Sequence, residues 1–196
     1  MSSEGRIASV SAALLLGGAS SRMGRDKARL PLEGVAAATH LATMLGELFE
    51  EVLLVGGDPP PDAPGRRVHD PEGPRCALRG LVGALEAAAT ERILVVATDL
   101  ISLSPPVLLA LLVWPEADAV VPRIGTKAHP LCALYRREPV RTVARRRLAA
   151  GQLALVGLLE EVGASYLEGP DLDAVDPEGS ALFNANTPEE FERLQR

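Results

Sequence analysis

Four apolar runs of strand length, separated by stretches with helical spacing, constrain this chain more strongly than any other feature. The runs are residues 10–16, 51–55, 92–97 and 118–122. Strands that are apolar on both sides belong in a parallel sheet, because helices cover both faces of such a sheet. The helices predicted between the runs are 36–49, 78–89 and 105–113. We therefore expect an α/β fold: a Rossmann-like, mostly parallel sheet with helices on both faces and right-handed crossovers.

After residue 122 the pattern changes. A turn followed by a strand is expected within 123–138, helices at 139–150 and 152–161, and a short strand at 165–168. The end of the chain has the signals of a helix start, because Thr187 can cap it, Pro188 suits the first helical position and Glu190 completes a capping box. A chain of 196 residues suits one domain.

Composition and charge argue against several classes of protein. The formal net charge of −6 disfavours a general nucleic-acid-binding protein, whose binding surface would be basic. The apolar run 107–114 is far shorter than the roughly 18 residues of a membrane span. The run 10–16 is short and lacks the basic start of a signal peptide. Cys76 and Cys132 have no metal or disulfide spacing, so we expect buried thiols in a reducing cytoplasm.

The stretch "LLLGGASSRMGRDKARLPLEG", residues 14–34, is the most unusual loop of the sequence. Its glycine spacing matches neither a P-loop nor the dinucleotide-binding fingerprint. It supplies backbone that a ligand can approach closely, two hydroxyl donors, a guanidinium fork and an ammonium group. These residues are Gly17, Gly18, Ser20, Ser21, Arg22 and Lys27. We interpret the stretch as a triphosphate-binding loop; a solvated strand-to-helix loop is the alternative.

Two aspartates are candidates for the same site. Asp99 comes just after the strand 92–97, at the carboxyl end where open α/β sheets bind their ligands. A carboxylate there can hold Mg²⁺ together with phosphate oxygens and water. The alternative is a turn residue or the N-cap of the next helix, for which Ser104 is the better candidate. Asp70 lies in the loop after the second strand and can face the same crevice, or it can be a proline-flanked turn residue.

Cationic residues in the second half of the chain leave two interpretations open. The arginine-rich stretch 136–147 can be a solvated helix face, or it can bind a second anionic substrate. Helical spacing places Arg141 and Arg145 on the same face. Lys127 and Lys27 are the only lysines in the chain, which suggests positions that need a compact charge.

Four segments together resemble the nucleotidyltransferases that include molybdenum-cofactor guanylyltransferase. They are residues 14–34, "VVATDL", "HPLCALYRR" and "NANTPEEFERL", in the family's order over nearly the whole chain. The resemblance implies a nucleotidyltransferase fold with glycosyltransferase-A-like architecture. It implies transfer of GMP from GTP to the terminal phosphate of molybdenum-loaded molybdopterin, with Mg²⁺ as cofactor and pyrophosphate as the leaving product.

The resemblance also implies roles for individual residues. Leu15, Leu16 and Gly17 would contact the nucleotide, Lys27 the triphosphate, Asp70 the nucleoside, and Asp99 both the nucleotide and Mg²⁺. Gly80 matches a family glycine at the nucleotide site, and Arg22 would act with Lys27 and Asp99 in catalysis. Candidates for the second substrate are Lys127, Arg141, Arg145, Asn184 and Asn186.

The family pattern predicts one nucleotidyltransferase domain over 1–196, with a nucleotide-binding half at about 1–115 and a second-substrate half at about 116–196. GTP and molybdopterin are the expected partners, with cofactor-insertion or recipient molybdoenzymes, in the cytoplasm; nucleic acid and membranes are not expected. Transfer of CMP is one alternative, although the Gly17–Gly18 pair favours GMP because cytidylyl relatives tend to have Ala-Gly there. A non-catalytic nucleotide-binding paralogue is the other.

Overall fold

The computed structural model describes residues 5–16, 31–32 and 35–183, with only the backbone described at 31–32. In chain order the elements are β1 (Val10–Leu15), β2 (Pro31–Leu32), β3 (Val35–Ala36), α1 (Ala37–Leu48), β4 (Val52–Val55), β5 (Arg66–Val68), α2 (Ala77–Ala87), β6 (Arg92–Ala97), α3 (Pro105–Val113), β7 (Ala119–Ile124), β8 (Lys127–Ala128), β9 (Cys132–Arg136), α4 (Arg137–Ala149), α5 (Leu155–Glu161), β10 (Ser165–Glu168) and α6 (Pro170–Asp173).

Within the described residues, the main sheet has eight strands in the spatial order β10–β7–β9–β6–β1–β4–β5, with β8 paired to β7. β1 lies between β6 and β4 and runs parallel to both, and β5 runs parallel to β4. β9 is antiparallel to its neighbours β6 and β7, whereas β10 is parallel to β7. β2 and β3 form a separate antiparallel pair. The prediction of an α/β fold with a mostly parallel sheet is confirmed.

A hydrophobic core lies on each face of the sheet, and every residue of β1 is buried between the two. Successive side chains of a strand point to opposite faces. Leu14 accordingly packs in the core that includes α1 and α3, and Leu15 in the core that includes α2, α4 and α5. The largest fully buried side chains are Phe49 in the first core and Tyr135 in the second. Burial on two sides explains why the strand sequences are apolar almost throughout.

The predicted helices α1 to α5 are confirmed to within a few residues at each end. α3 begins after Ser104, which is its N-cap, although the Ser104 side chain makes no capping hydrogen bond. The alternative in which Asp99 caps this helix is therefore wrong. The turn and strand expected within 123–138 are the β7–β8 hairpin and β9. The helix start predicted at Thr187 lies outside the described residues.

Two sequence expectations differ from the structure. β5 was not expected, because an edge strand that begins with two exposed arginines has no apolar run. Cys132 is buried as expected, but the expectation is wrong for Cys76, which is only partly buried at the N-cap of α2. Among the residues that the structure describes, no helix is long and apolar enough to cross a membrane.

Candidate active site

The carboxyl ends of four parallel strands meet at one edge of the sheet, which we call the carboxyl edge. Leu15, at the end of β1, is level with Val55 of β4 and Ala97 of β6. The Gly56 N–H, just after β4, donates to the carbonyl of Val68 at the end of β5 (2.9 Å). The segments that follow these strands therefore begin side by side: Leu16, 56–57, 69–70 and 98–99. Ligands of open α/β sheets bind at this edge.

A glycine pair after β4 brings Leu16 and Asp70 close to the backbone. Gly56 and Gly57 have positive φ angles of +70° and +54°, a conformation that favours glycine. A Cβ at Gly57 would lie 3.0 Å from the Leu16 Cβ, and a Cβ at Gly56 would lie 2.8 Å from the Asp70 Oδ1. Neither contact leaves room for a side chain, so both glycines are needed for this arrangement of the edge.

Asp70 is held by an arginine that sequence reasoning did not single out. The Arg79 Nη2 donates to the Asp70 Oδ2 (2.8 Å), and the Arg79 Nη1 donates to the Gly73 carbonyl (3.0 Å). The two side chains are only 18% and 20% exposed. Arg79 stands in the first turn of α2, where the helix dipole disfavours a cation. A cation at a helix position that disfavours it is a signal from which the Arg79–Asp70 ion pair could have been predicted.

Gly80, also in the first turn of α2, lies against the end of β1. A Cβ at Gly80 would be 3.5 Å from the Leu15 Cδ1 and 3.8 Å from the Asp70 Oδ1, which is ordinary contact distance. The structure thus brings together four of the residues predicted to bind nucleotide: Leu15, Leu16, Asp70 and Gly80.

Asp99 lies on the other side of β1, in the turn that follows β6. The turn is fixed by the Leu100 N–H, which donates to the Ala97 carbonyl (3.3 Å), and by burial of Leu100 and Ile101. Asp99 itself is partly buried. Asp70 and Asp99 therefore stand on opposite sides of β1 at the same edge, with Leu16, the residue that follows β1, between them.

A buried histidine lies beside the turn that contains Asp99. The Ala97 N–H donates to the carbonyl of Leu131 (2.8 Å), which joins the end of β6 to the segment 129–131 before β9. His129 in this segment is 6% exposed, and its Nε2 has no hydrogen-bond partner within the described residues. Burial, with a smaller contribution from the charge of Lys127, lowers the pKa of His129 to about 4. The imidazole is therefore neutral at pH 7.

The segment around His129 is held by several hydrogen bonds. The His129 N–H donates to the Pro122 carbonyl (2.9 Å), and its carbonyl accepts from the Cys132 N–H (2.9 Å). The buried Tyr135 hydroxyl donates to the Pro130 carbonyl (2.7 Å). Sequence reasoning placed this segment in the turn and strand expected within 123–138 and in a family pattern, but it gave His129 no role. An apolar neighbourhood that contains a single imidazole gives no local signal of its burial.

The predicted second-substrate residues are distributed over two regions. Lys127 is exposed on β8, two residues before His129 and next to the carboxyl edge. Arg141 and Arg145 lie on α4, where Arg141 pairs with Glu138 (2.6 Å) and Arg145 with Glu86 of α2 (3.3 Å). The last turn of α2 ends at the opposite edge, near the start of β6. The described contacts therefore do not bring these two arginines to the carboxyl edge.

The remaining predicted site residues lie outside the described residues, and their roles stay predictions. They are Gly17, Gly18, Ser20, Ser21, Arg22, Lys27, Asn184 and Asn186.

A mostly parallel sheet with a glycine pair and two aspartates around its central strand, at the carboxyl edge, places this chain among the open α/β proteins, whose ligands bind at that edge. Residues 12–162 match the model of the MobA-like NTP transferase domain. The chain belongs to this family and is a nucleotidyltransferase.

Similar proteins support this classification over nearly the full length of the chain. A protein of Chloroflexus aggregans named probable molybdenum cofactor guanylyltransferase is 34% identical, covering 95% of this chain and 93% of its own. The molybdenum cofactor guanylyltransferase of Cereibacter sphaeroides is 32% identical, covering 93% of each chain. Molybdopterin-guanine dinucleotide biosynthesis protein A of Archaeoglobus fulgidus has the same fold, with a TM-score of 0.81, 22% identity, and coverage of 94% and 96%.

Proposed function

We propose that the protein transfers GMP from GTP to the terminal phosphate of molybdenum-loaded molybdopterin and releases pyrophosphate. Its relatives with this name match it from end to end at about one third identity. The observation that best supports the proposal is the placement of Asp70 and Asp99 on opposite sides of β1. A nucleotide lying across this edge would have its nucleoside near Asp70, its phosphates over the loop 14–34 and its reacting α-phosphate near Asp99.

The reaction needs alignment and charge neutralisation more than it needs a base. The attacking phosphate is already an anion, so the protein must hold two anions in line and stabilise the leaving pyrophosphate. Arg22 and Lys27 would bind the triphosphate, with the backbone N–H groups of Gly17 and Gly18. Leu15 and Leu16 would form the apolar floor beneath the nucleotide, since both are buried at the end of β1.

The donor chemistry of Asp99 fits Mg²⁺. A divalent ion of this kind is usually held by one or two carboxylates, with phosphate oxygens and water as its other ligands. When bound, the ion neutralises charge on the phosphate oxygens. Asp99 would hold it from the turn after β6, in which Leu100 and Ile101 are anchored in the core.

The second substrate is assigned to the half of the chain from about residue 116. Lys127 is the candidate on the described surface closest to the carboxyl edge, and Asn184 and Asn186 are candidates from the resemblance alone. Arg141 and Arg145 stay candidates that would first have to leave their partners Glu138 and Glu86. The proposal includes a cytoplasmic location, one domain over 1–196, and delivery of the product to recipient molybdoenzymes.

Binding of GTP and of CTP to the purified protein with Mg²⁺, measured by calorimetry, tests the choice of nucleotide. Tight GTP binding with negligible CTP binding is expected. A preference for CTP would keep the class of reaction and change the product. Binding of neither would overturn the proposal.

Turnover with molybdopterin, followed by pyrophosphate release, tests catalysis itself. GTP binding without turnover in the parent would instead indicate a non-catalytic paralogue. Asp99→Asn should lower the rate at least about 100-fold, because it removes the charge that holds the metal. Asp118→Asn is the matched control, since Asp118 pairs with Arg136 at the opposite edge of the sheet (3.2 Å). A near-parental rate in Asp99→Asn would remove Asp99 from the site.

A further inference from the structure

We propose that Arg79 is a positioning residue of the nucleotide site, which fixes Asp70 so that one carboxylate oxygen is presented to a hydrogen-bond donor of the bound nucleoside. This inference rests on the proposed function, since it assumes that a nucleoside triphosphate binds at the carboxyl edge.

The two oxygens of Asp70 have different surroundings. Oδ2 accepts from the Arg79 Nη2 (2.8 Å). Both oxygens lie against Gly56, at 2.8 Å (Oδ1) and 2.9 Å (Oδ2) from the position of a Cβ there, and Oδ1 also lies 3.8 Å from that of a Cβ on Gly80. Neither glycine can cover the oxygen with a side chain. In the part of the chain that the structure describes, Oδ1 accepts no hydrogen bond, so its lone pairs are available to a ligand.

The Arg79 guanidinium also ties the loop after β5 to α2. Its Nη1 donates to the Gly73 carbonyl (3.0 Å) while its Nη2 holds Asp70. One planar group therefore fixes two points of the segment 70–73, a geometry that the point charge of lysine cannot reproduce. The carboxylate is held in one orientation before any nucleotide arrives, which lowers the entropic cost of binding.

Stability alone explains this arrangement poorly. A cation in the first turn of a helix opposes the helix dipole. The Arg79 Nε is buried and makes no hydrogen bond within the described segments, which costs free energy. Ion pairs that are about one fifth exposed contribute little net stability after desolvation. A role in positioning Asp70 explains why an arginine stands at position 79, where the helix dipole and the buried Nε disfavour it.

The ligand group that Oδ1 would accept from is an O–H or N–H donor of the nucleoside. A ribose hydroxyl and the exocyclic amino group of the base offer the same chemistry. Analogues separate these sources: 2′-deoxy-GTP and 3′-deoxy-GTP each lack one hydroxyl, and ITP lacks the exocyclic amino group. The analogue that binds more weakly to the parent identifies a donor that the site uses.

The experiment measures affinities of GTP and these analogues for the full chain by calorimetry, in the parent and in Arg79→Ala, Arg79→Lys and Asp70→Asn. Arg79→Ala should weaken GTP binding about tenfold, which corresponds to 1.4 kcal/mol. Arg79→Lys should recover part of this loss. At least one analogue should bind more weakly than GTP to the parent, and this discrimination should shrink to nearly nothing in both Arg79→Ala and Asp70→Asn.

A double-mutant cycle separates positioning from a general loss of structure. Because Arg79 acts through Asp70, the effects on GTP affinity should be strongly non-additive when both are changed. Arg66→Ala is the matched control, since the Arg66 Nη2 pairs with Glu51 at the same 2.8 Å but at the other edge. It should change the stability of the protein and leave GTP affinity at the parental value.

Three results would overturn the inference. GTP binding by Arg79→Ala that equals binding by the parent, with analogue discrimination retained, would show that Asp70 needs no positioning, while the proposed function would stand. Failure of the parent to bind any nucleotide would overturn the proposed function and this inference with it. If Arg79→Ala does not fold, the double-mutant cycle is run with Arg79→Lys and Asp70→Asn, and additive effects on GTP affinity in that cycle would also reject positioning.

Discussion

The buried His129 should make the stability of the protein depend on pH between about 4 and 6.5. Burial lowers the pKa of this imidazole to about 4, whereas in the unfolded chain it would have its ordinary value of about 6.5. Between these values the unfolded state binds more protons than the folded state. The free energy of unfolding therefore falls as the pH falls through this window, and the contribution of His129 is zero above it.

The magnitude follows from the two pKa values. The full shift corresponds to about 3 kcal/mol, since one pKa unit is worth 1.36 kcal/mol. At pH 5 the unfolded chain would be nearly fully protonated at this position and the folded chain hardly at all, so the expected loss relative to pH 8 is about 2 kcal/mol. Glu51 and Glu168 have lowered pKa values in the folded state, so their stabilising contributions are lost only as the pH falls below about 4.5, and the change between pH 8 and pH 5 is dominated by the histidine.

Urea unfolding of the parent and of His129→Gln at pH 8 and pH 5 measures this contribution. The parent should lose about 2 kcal/mol more than the variant between the two pH values, because glutamine does not titrate. His69→Gln, a change at an exposed position, is the matched control and should keep the parental pH dependence. Equal losses in the parent and in His129→Gln would refute the assignment of a buried neutral imidazole.

Three further changes test other parts of the fold. Gly56→Ala places a Cβ 2.8 Å from the Asp70 Oδ1 at a φ of +70°, so GTP affinity measured by calorimetry should fall at least about tenfold; parental affinity would mean that this approach is not required. Glu51→Gln removes a carboxylate that accepts from Ser11 and should cost about 1–3 kcal/mol in urea unfolding, with little change in nucleotide binding. Tyr135→Phe should cost about 1 kcal/mol by the same measurement, because a buried hydrogen bond is lost.

The strands and helices could be predicted where their signals are local. Apart from Ser11 and Arg92, β1 and β6 are apolar because both of their faces are buried, and α3 begins where Ser104 precedes two prolines. β5 could not be predicted in this way, since its pairing with β4 comes from the tertiary structure and its sequence begins with two arginines. The antiparallel direction of β9 likewise depends on the short β7–β8 hairpin, which no strand pattern specifies.

The candidate site likewise contains residues that a local sequence signal predicts and residues whose role depends on tertiary contacts. Asp99 was predicted because it follows an apolar strand at the end where ligands bind, and the topology places it there. Arg79 was missed because its importance depends on Asp70, which is nine residues away and on another element. Arg141 and Arg145 show the converse, since helical spacing put them on one face but could not reveal that each has a carboxylate partner.

The two edges of the sheet differ in a way that supports a ligand at only one of them. At the opposite edge, where the parallel strands begin, Ser11 and Arg66 both donate to Glu51, and the hydroxyls of Ser11 and Thr90 hydrogen bond to each other. The polar groups there therefore satisfy each other. At the carboxyl edge, glycines stand where side chains would otherwise cover the Asp70 carboxylate. The carboxyl edge is therefore where the nucleotide is expected, and substitutions there should change binding more than they change the free energy of unfolding.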